Sequence, residues 1–409
     1  MKNLTKTLNE KYQNNINNDK AKLSRFLKRR RMELGKTLEE VSEGVCSTSY
    51  LSKIENCLVD VDESYFQLLF EKLNLEYHAI VEERKTPIYE ELLKAYLSNN
   101  VDYIEKRNID AIKTNSYSDT EIEIALVLYN LVNGSIEEAF MSIEKLAVIQ
   151  NTLSTEELVY LGFLKILYYT KTYQNSLIQE EIEILLSVLN NSELLYYALL
   201  DLALDYYFSS NQKVKFTEYF SKFSSNKYIG FFKNNSYRHQ LQRLVFLSYE
   251  NLKDDTEVES DFLLIKETLN ELNLTTYYIY YAIYLINKQK FEQAYLVLDK
   301  LDKCDEVLAL MGFVVDKLNN MNYQVLYLKY LEEWDDDVKS PFVDYIEYVR
   351  LKFEQYSYGY LYSFLKNRVL DNQKIFQHYY LKELEYNEFY SVAFELGKYK
   401  EIARSVLNK

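Results

Sequence analysis

The sequence predicts an all-α protein in two parts, a small N-terminal helical domain followed by a long C-terminal stack of helix pairs. Three observations carry this. Only 8 Gly and 2 Pro punctuate 409 residues, so turn residues are scarce and strand-hairpin signals are nearly absent. Apolar residues recur at intervals of three and four through most of the chain, the period of a helix with one buried face. The length exceeds what one small domain needs and is ample for two or more cores.

The first elements are placed by their caps. In the stretch Thr37 to Glu55, TLEEVSEGVCSTSYLSKIE, Thr37 is a good N-cap and Glu40 completes a capping box. Leu38, Val41 and Val45 form the apolar face of a first short helix. The chain turns through Gly44 to Cys46, and Ser47 or Thr48 caps a second helix in which Leu51 and Ile54 point inward. Ser47, Thr48, Ser49, Tyr50, Ser52 and Lys53 remain for the outside. Small hydroxyls at a helix N-terminus followed by a cation suit a major groove. The same geometry occurs in helical proteins that never touch DNA, so spacing alone leaves both readings open.

Taken from Leu23 to Leu75 without a gap, this segment resembles the Cro/C1-type (XRE) helix-turn-helix domain. Leu23, Leu27, Arg31, Gly35, Thr37, the run Ser49 to Glu55 and the closing pattern Phe66, Leu69, Leu73, Leu75 carry the match. The resemblance implies a five-helix, lambda-repressor-like domain that binds a double-stranded DNA operator, with Arg31 pairing Glu55 to lock the first helix onto the reading helix. The chain departs from the family at Leu38 (usually Gln), Arg30 (usually apolar) and Cys57 (usually Gly).

Charge supports a division of labour. Residues 1–60 hold 12 Lys and Arg against 8 Asp and Glu, a net of +4, so with −14 overall the remainder carries −18. A basic module on an acidic body fits one face held to phosphates, although acidic bodies are also simply soluble. Lys20, Lys22, Arg25, Lys28, Arg29, Arg30, Arg31 and Lys36 surround an inner stripe of Leu23, Phe26, Leu27 and Leu34. Of the cations, Arg29, Lys36 and Lys53 are assigned to phosphates. Residues 1–19 read as a flexible arm, 20–80 as the DNA-binding domain, 81–88 as a charged linker ending near Pro87, and 89–409 as the repeat domain.

Beyond the linker, similar phrases follow short polar breaks at Asn133, Lys171, Lys288, Asn320 and Gly397, a period of roughly 32 to 42 residues that marks tetratricopeptide-like (TPR-like) helix pairs stacked as a solenoid. Polar residues interrupt otherwise apolar helices at Lys165, Asp201, Asp205, Gln242 and Arg243. Each needs a partner or a solvated groove. Together with Tyr277, Tyr281 and Tyr284 they are the candidate walls of a peptide groove, and the alternative is that the charges pair between helices and the tyrosines pack there.

An XRE domain followed by degenerate TPR-like repeats is similar in architecture to the peptide-pheromone receptors of Gram-positive bacteria, the Rgg, PlcR, PrgX and ComR (RRNPP) regulators. The resemblance implies a cytoplasmic, homodimeric transcription regulator of quorum-sensing type whose repeat domain both dimerises and binds a short signalling peptide. The competing expectation is a DNA-bound regulator whose repeats bind a protein or only a second copy of the chain, with no peptide. An enzyme is not expected, nor a cofactor or metal. His78, His239 and His378 are widely separated, no phosphate-binding glycine loop exists, and Cys46, Cys57 and Cys304 fit neither a disulfide framework nor a zinc site. Without a signal-type or 18-residue apolar stretch, the chain reads as neither secreted nor membrane-spanning.

Overall fold

Helices with one wet and one dry face have to stack, and the computed structural model shows them doing so. It describes residues 18–56, 58–77, 88–98, 100, 119–150, 153–172, 174, 178–189, 193–225, 227–249, 254–269, 271–334, 340–370 and 379–407. The expected arm as far as residue 17, the expected linker over 81–87, and Cys57, His78 and His378 lie outside them. Helix is the regular structure throughout the described residues, as the all-α expectation requires.

The chain divides into two compact units, residues 1–171 with 178–199, and residues 172–177 with 200–409. The sequence reading placed its boundary at residue 80, and residues 18–77 do keep a core of their own, described below. The first unit contains α1 (Asn18–Glu33), α2 (Leu38–Ser42), α3 (Thr48–Glu55), α4 (Glu63–Lys72), α5 (Ile88–Leu97), α6 (Asp119–Val132), α7 (Ile136–Val148), α8 (Thr155–Lys171) and α9 (Gln179–Val188). Helix α5 packs on α6, α6 on α7 and α8, and α8 on α9. Burial of α8 on nearly every side, from Glu157 to Leu167, explains why its sequence TEELVYLGFLKILYYTK has little amphipathic pattern.

Helix α10 (Leu194–Ser209) contains the division between the units. The second unit continues with α11 (Lys213–Ser224), α12 (Lys233–Tyr249), α13 (Asp255–Thr268), α14 (Glu271–Asn287), α15 (Phe291–Leu298), α16 (Asp305–Leu318), α17 (Met321–Glu332), α18 (Val343–Phe353), α19 (Tyr358–Phe364), α20 (Tyr379–Glu395) and α21 (Tyr399–Leu407). Alternate helices meet in a row, α12 on α14, α14 on α16 and α16 on α18, with α13, α15 and α17 packed against them.

One turn recurs through both units. Gly134, Asn211, Gln289, Asn319 and Gly397 take positive φ of 77°, 56°, 58°, 48° and 67°, and each stands two residues before the next helix begins. The amides of Ser135, Gln212, Lys290 and Lys398 then donate back to the carbonyls of Asn130, Tyr207, Leu285 and Ala393 at 2.8 to 2.9 Å, which is a Schellman closure of the preceding helix. Four of the five recurring phrases sit on this turn. The phrase at Lys171 does not, because α9 begins only at Gln179 and residues 173 and 175–177 lie outside the described set.

Toward the C-terminus a buried ion cluster ties three helices. Lys352 on α18 reaches Asp316 on α16 at 2.8 Å and Glu388 on α20 at 2.7 Å; Lys317 meets Glu388 at 3.2 Å. Tyr348 Oη adds a hydrogen bond to Glu388 at 3.0 Å. Burial works to raise the Glu388 carboxyl, but the two lysine charges and their hydrogen bonds hold it below its ordinary value.

Helix α16 also approaches its neighbours too closely for a side chain at Gly312. A Cβ there would lie 2.6 Å from Tyr327 Oη and 3.2 Å from Val349 Cγ1. Tyr327 is fully buried and its hydroxyl has no hydrogen-bond partner among the described residues, so the ring has nowhere to retreat. Gly312→Ala is expected to cost about 1–3 kcal/mol of stability by overpacking. Tyr327→Phe alone should be neutral or slightly stabilising, and the double variant should regain most of the loss in a thermal melt.

Candidate nucleic-acid interface and the polar seam of the second unit

The N-terminal module is built around a small apolar core. Leu23 and Leu27 of α1, Val41 of α2, Leu51 and Ile54 of α3, Val61, and Phe66, Leu69, Phe70 and Leu73 around α4 are buried together. Leu34, read as part of the inner stripe, is instead 52% exposed. It lies just past the end of α1, where Gly35 at φ 66° reverses the chain and no helical face exists to turn it inward.

Capping fixes the two short helices. The Thr37 amide donates to Glu40 Oε2 at 2.7 Å and the Glu40 amide to Thr37 Oγ1 at 3.2 Å, a complete capping box at the start of α2. Ser47 Oγ accepts the Tyr50 amide at 3.2 Å and starts α3. Between them the chain passes through Gly44 at φ 77°. The geometry is that of two short helices joined by a tight turn, with α3 laid across α1.

An ion pair sets that crossing. Arg31 Nε donates to Glu55 Oε1 at 2.7 Å and Nη2 to Oε2 at 2.9 Å, while Nη1 donates to the Lys36 carbonyl at 2.9 Å. Glu55 is 3% exposed. A bidentate fork of this kind fixes angle as well as distance, so α1, α3 and the loop after α1 move as one body.

What α3 leaves outside is a row of small polar groups. Ser47, Thr48, Ser49 and Lys53 are exposed, and Ser52 and Tyr50 are half-buried. The Tyr50 ring leans edge-on against Tyr65 of α4 at 5.7 Å between centroids. Lys36, assigned to a phosphate from sequence, donates its ammonium to the Lys72 carbonyl at the end of α4, 2.6 Å away. The Arg29 side chain lies outside the described residues.

In the repeats the structure divides the sequence candidates. Lys165 is not on an open wall: it is 5% exposed and ion-paired with Glu181 of α9. Tyr277 and Tyr284 are 2% and 0% exposed and, with half-buried Tyr281, surround Phe262 of α13 at 5.2 to 6.1 Å. They pack α13 against α14 and are not available as groove walls, because the same ring area cannot serve core and ligand. Burial raises their phenol pKa values. Arg243 is exposed and points over the Phe220 ring, 5.5 Å away, on another side of α12 from Gln242.

Asp201, Asp205 and Gln242 do come together, with partners that sequence reading missed. His239 places Nε2 2.7 Å from Asp201 Oδ1 and Nδ1 2.7 Å from Gln242 Oε1. Gln242 Nε2 donates to Asp205 Oδ1 at 2.8 Å and to Tyr280 Oη of α14 at 3.0 Å. Asn235 donates to Asp201 at 2.8 Å, and Arg238 spans Asp201 and Asp205 at 3.4 and 2.8 Å. Desolvation pushes the Asp201 carboxyl up, yet the Arg238 charge and the His239 and Asn235 hydrogen bonds win and hold it below its ordinary value. The signal was present in the sequence: 235, 238, 239 and 242 form one helical stripe, opposite an i, i+4 pair of aspartates.

No family model matches the chain, and no curated protein matches it. Among solved structures it is similar to a mutant of PrgX, at 13% identity over 75% of this chain and 99% of that one, with a TM-score of 0.24. A likeness at that level carries no argument about function. Among the described residues no helix is long and apolar enough to cross a membrane, and no group of three or more acidic, His or Cys side chains is placed to hold a metal ion.

Breaking the Arg31 and Glu55 pair from one side strands a buried charge. Arg31→Ala or Glu55→Gln is expected to cost about 3 kcal/mol, enough to unfold a small module, whereas replacing both by apolar residues of similar size should restore most of the stability. Thermal melts of the three variants check this.

Proposed function

We propose that the chain is a sequence-specific DNA-binding regulator that reads the major groove with the N-terminal end of α3. The observation that carries this reading is the exposed row Ser47, Thr48, Ser49 and Lys53 on a helix held rigidly to its neighbour by the Arg31 and Glu55 fork. Hydroxyls at a helix N-terminus donate to or accept from base edges, Lys53 neutralises phosphate, and a fixed helix keeps them in register. The XRE resemblance from Leu23 to Leu75 points the same way.

The second unit is proposed to join two copies. Phe394 on α20 and Tyr399 and Val406 on α21 are 60%, 59% and 55% exposed, large apolar side chains that a second copy would cover. Tyr399 and Val406 share one stripe of α21, seven residues apart. The cations Lys398, Lys400 and Arg404 offset Glu395 and Glu401 there, so two such faces approach without the repulsion that the acidic body would otherwise impose.

Binding of a short signalling peptide by the repeats belongs to the same proposal and rests on the architectural resemblance. The partly exposed rim of the seam, Arg238 at 30% and Asp205 at 27% side-chain exposure, is where peptide termini would meet charge. Against it stands the mutual satisfaction of Asp201, His239 and Gln242, which favours the second reading, self-association or a protein partner with no peptide. Thermal stabilisation by one peptide from a library of secreted sequences supports the first; no shift with any supports the second.

Two outcomes test the DNA-reading proposal. A fragment ending at residue 80 should bind a given operator far more weakly than the full chain, because a dimer must span half-sites roughly 34 Å apart. Tyr399→Asp combined with Val406→Asp should split the dimer in sedimentation and weaken operator binding to a similar degree. Full-strength binding by either would remove the second unit from DNA binding.

A further inference from the structure

The internal contacts of the N-terminal module sort its cations, and this bears on which of them can touch DNA. Lys28 on α1 donates to Asn56 Oδ1 at 2.8 Å, and Asn56 donates through Nδ2 to the Ser52 carbonyl at 2.8 Å and lies 3.5 Å from Ser52 Oγ. Asn56 is the C-cap of α3. Its side chain therefore does two jobs at once: it adds a second donor to the Ser52 carbonyl, which already accepts the Asn56 amide at 3.1 Å, and it anchors a cation from the crossing helix. Lys36 does the equivalent at the end of α4, with its ammonium on the Lys72 carbonyl at 2.6 Å, where a positive charge also offsets the helix dipole.

We infer that Lys28 and Asn56 are positioning residues, which set the pitch of α3 from its C-terminal end, that Lys36 is engaged at the end of α4, and that Lys53 is the phosphate contact of the reading helix. The inference rests on the DNA-reading proposal and deepens it. The geometry argues it by distance. A helix of eight residues is about 12 Å long, so Asn56 and the Lys28 ammonium on it stand a full helix length from Ser47, Thr48 and Ser49 at the reading end. Arg31 holds α3 at Glu55, its last residue, and Lys28 holds Asn56, the residue after it, which lies about 100° further round the helix axis, so the C-terminal end is pinned from two directions. A tilt of α3 about the Arg31 fork would displace the far, base-reading end most. Lys53 has neither role, since it is exposed on α3 and makes none of these contacts.

The test uses the full chain and an operator enriched with it from random duplex DNA. Lys53→Met should flatten the dependence of log affinity on log salt by about 0.9 per copy. Lys28→Met and Asn56→Ala should leave that slope unchanged while cutting the ratio of operator to random-duplex affinity by about tenfold, the discrimination carried by roughly one base pair. Lys28→Arg, which keeps a donor for Asn56, should restore the ratio, an outcome that separates positioning from general loss of structure. A slope that falls in Lys28→Met as it does in Lys53→Met would overturn the assignment and make Lys28 a phosphate contact. An unchanged ratio in both Lys28→Met and Asn56→Ala would overturn it as well. Failure of the native chain to enrich any sequence is a different result: it removes the DNA-reading proposal itself, and this inference with it.

Discussion

A charge buried among apolar helices has to find a partner on a neighbouring helix, and that constraint runs through the whole molecule. Desolvating an unpaired ion costs several kcal/mol, more than a domain of ordinary stability tolerates. Among the described residues, four groups of such charges act as fixed points. Arg31 with Glu55 ties α1 to α3, Lys165 with Glu181 ties α8 to α9, Arg238 and His239 with the two aspartates tie α12 to α10, and Lys352 with Asp316 and Glu388 ties α18 to α16 and α20. Apolar burial is the dominant favourable term in folding, and each pair adds a constraint on which helix faces meet.

The same constraint shows why some of the chain was legible and some was not. The caps of α2 and α3 follow from Thr37, Glu40 and Ser47 because a cap is a local bond between residues three apart. The helical class follows from the scarcity of Gly and Pro. The partners of Asp201 and Asp205 lie 33 to 38 residues away, and spacing within one helix does not reveal which helix comes to face it. Tyr277 and Tyr284 read as an amphipathic stripe, but a stripe of tyrosines looks the same whether it meets a ligand or Phe262. The repeated turn was half visible. Gly134 and Gly397 announce a left-handed residue, whereas Asn211, Gln289 and Asn319 adopt it with side chains that do not require it.

For the N-terminal module, rigidity and exposure are two products of one design. The Arg31 fork, the capping box and the core around Phe66 and Phe70 leave α3 no freedom to turn, so its exposed hydroxyls keep a constant geometry. Under the proposed function, α3 presents that pattern to a regular polymer. The second unit has a different character: its described helices pack on one another in alternation, with polar seams between them, and Phe394, Tyr399 and Val406 are exposed on α20 and α21. Under the proposed function, the second unit would join two copies of the chain and so two copies of the reading helix.

The most direct test of that account is to crosslink the protein to DNA in the cells that make it and sequence what it holds. The account predicts discrete sites whose common sequence has two related halves, one helical turn or a multiple of it apart. Recovery of DNA indistinguishable from the genomic background would contradict it, and the two short helices would then have to be explained as a packing unit alone.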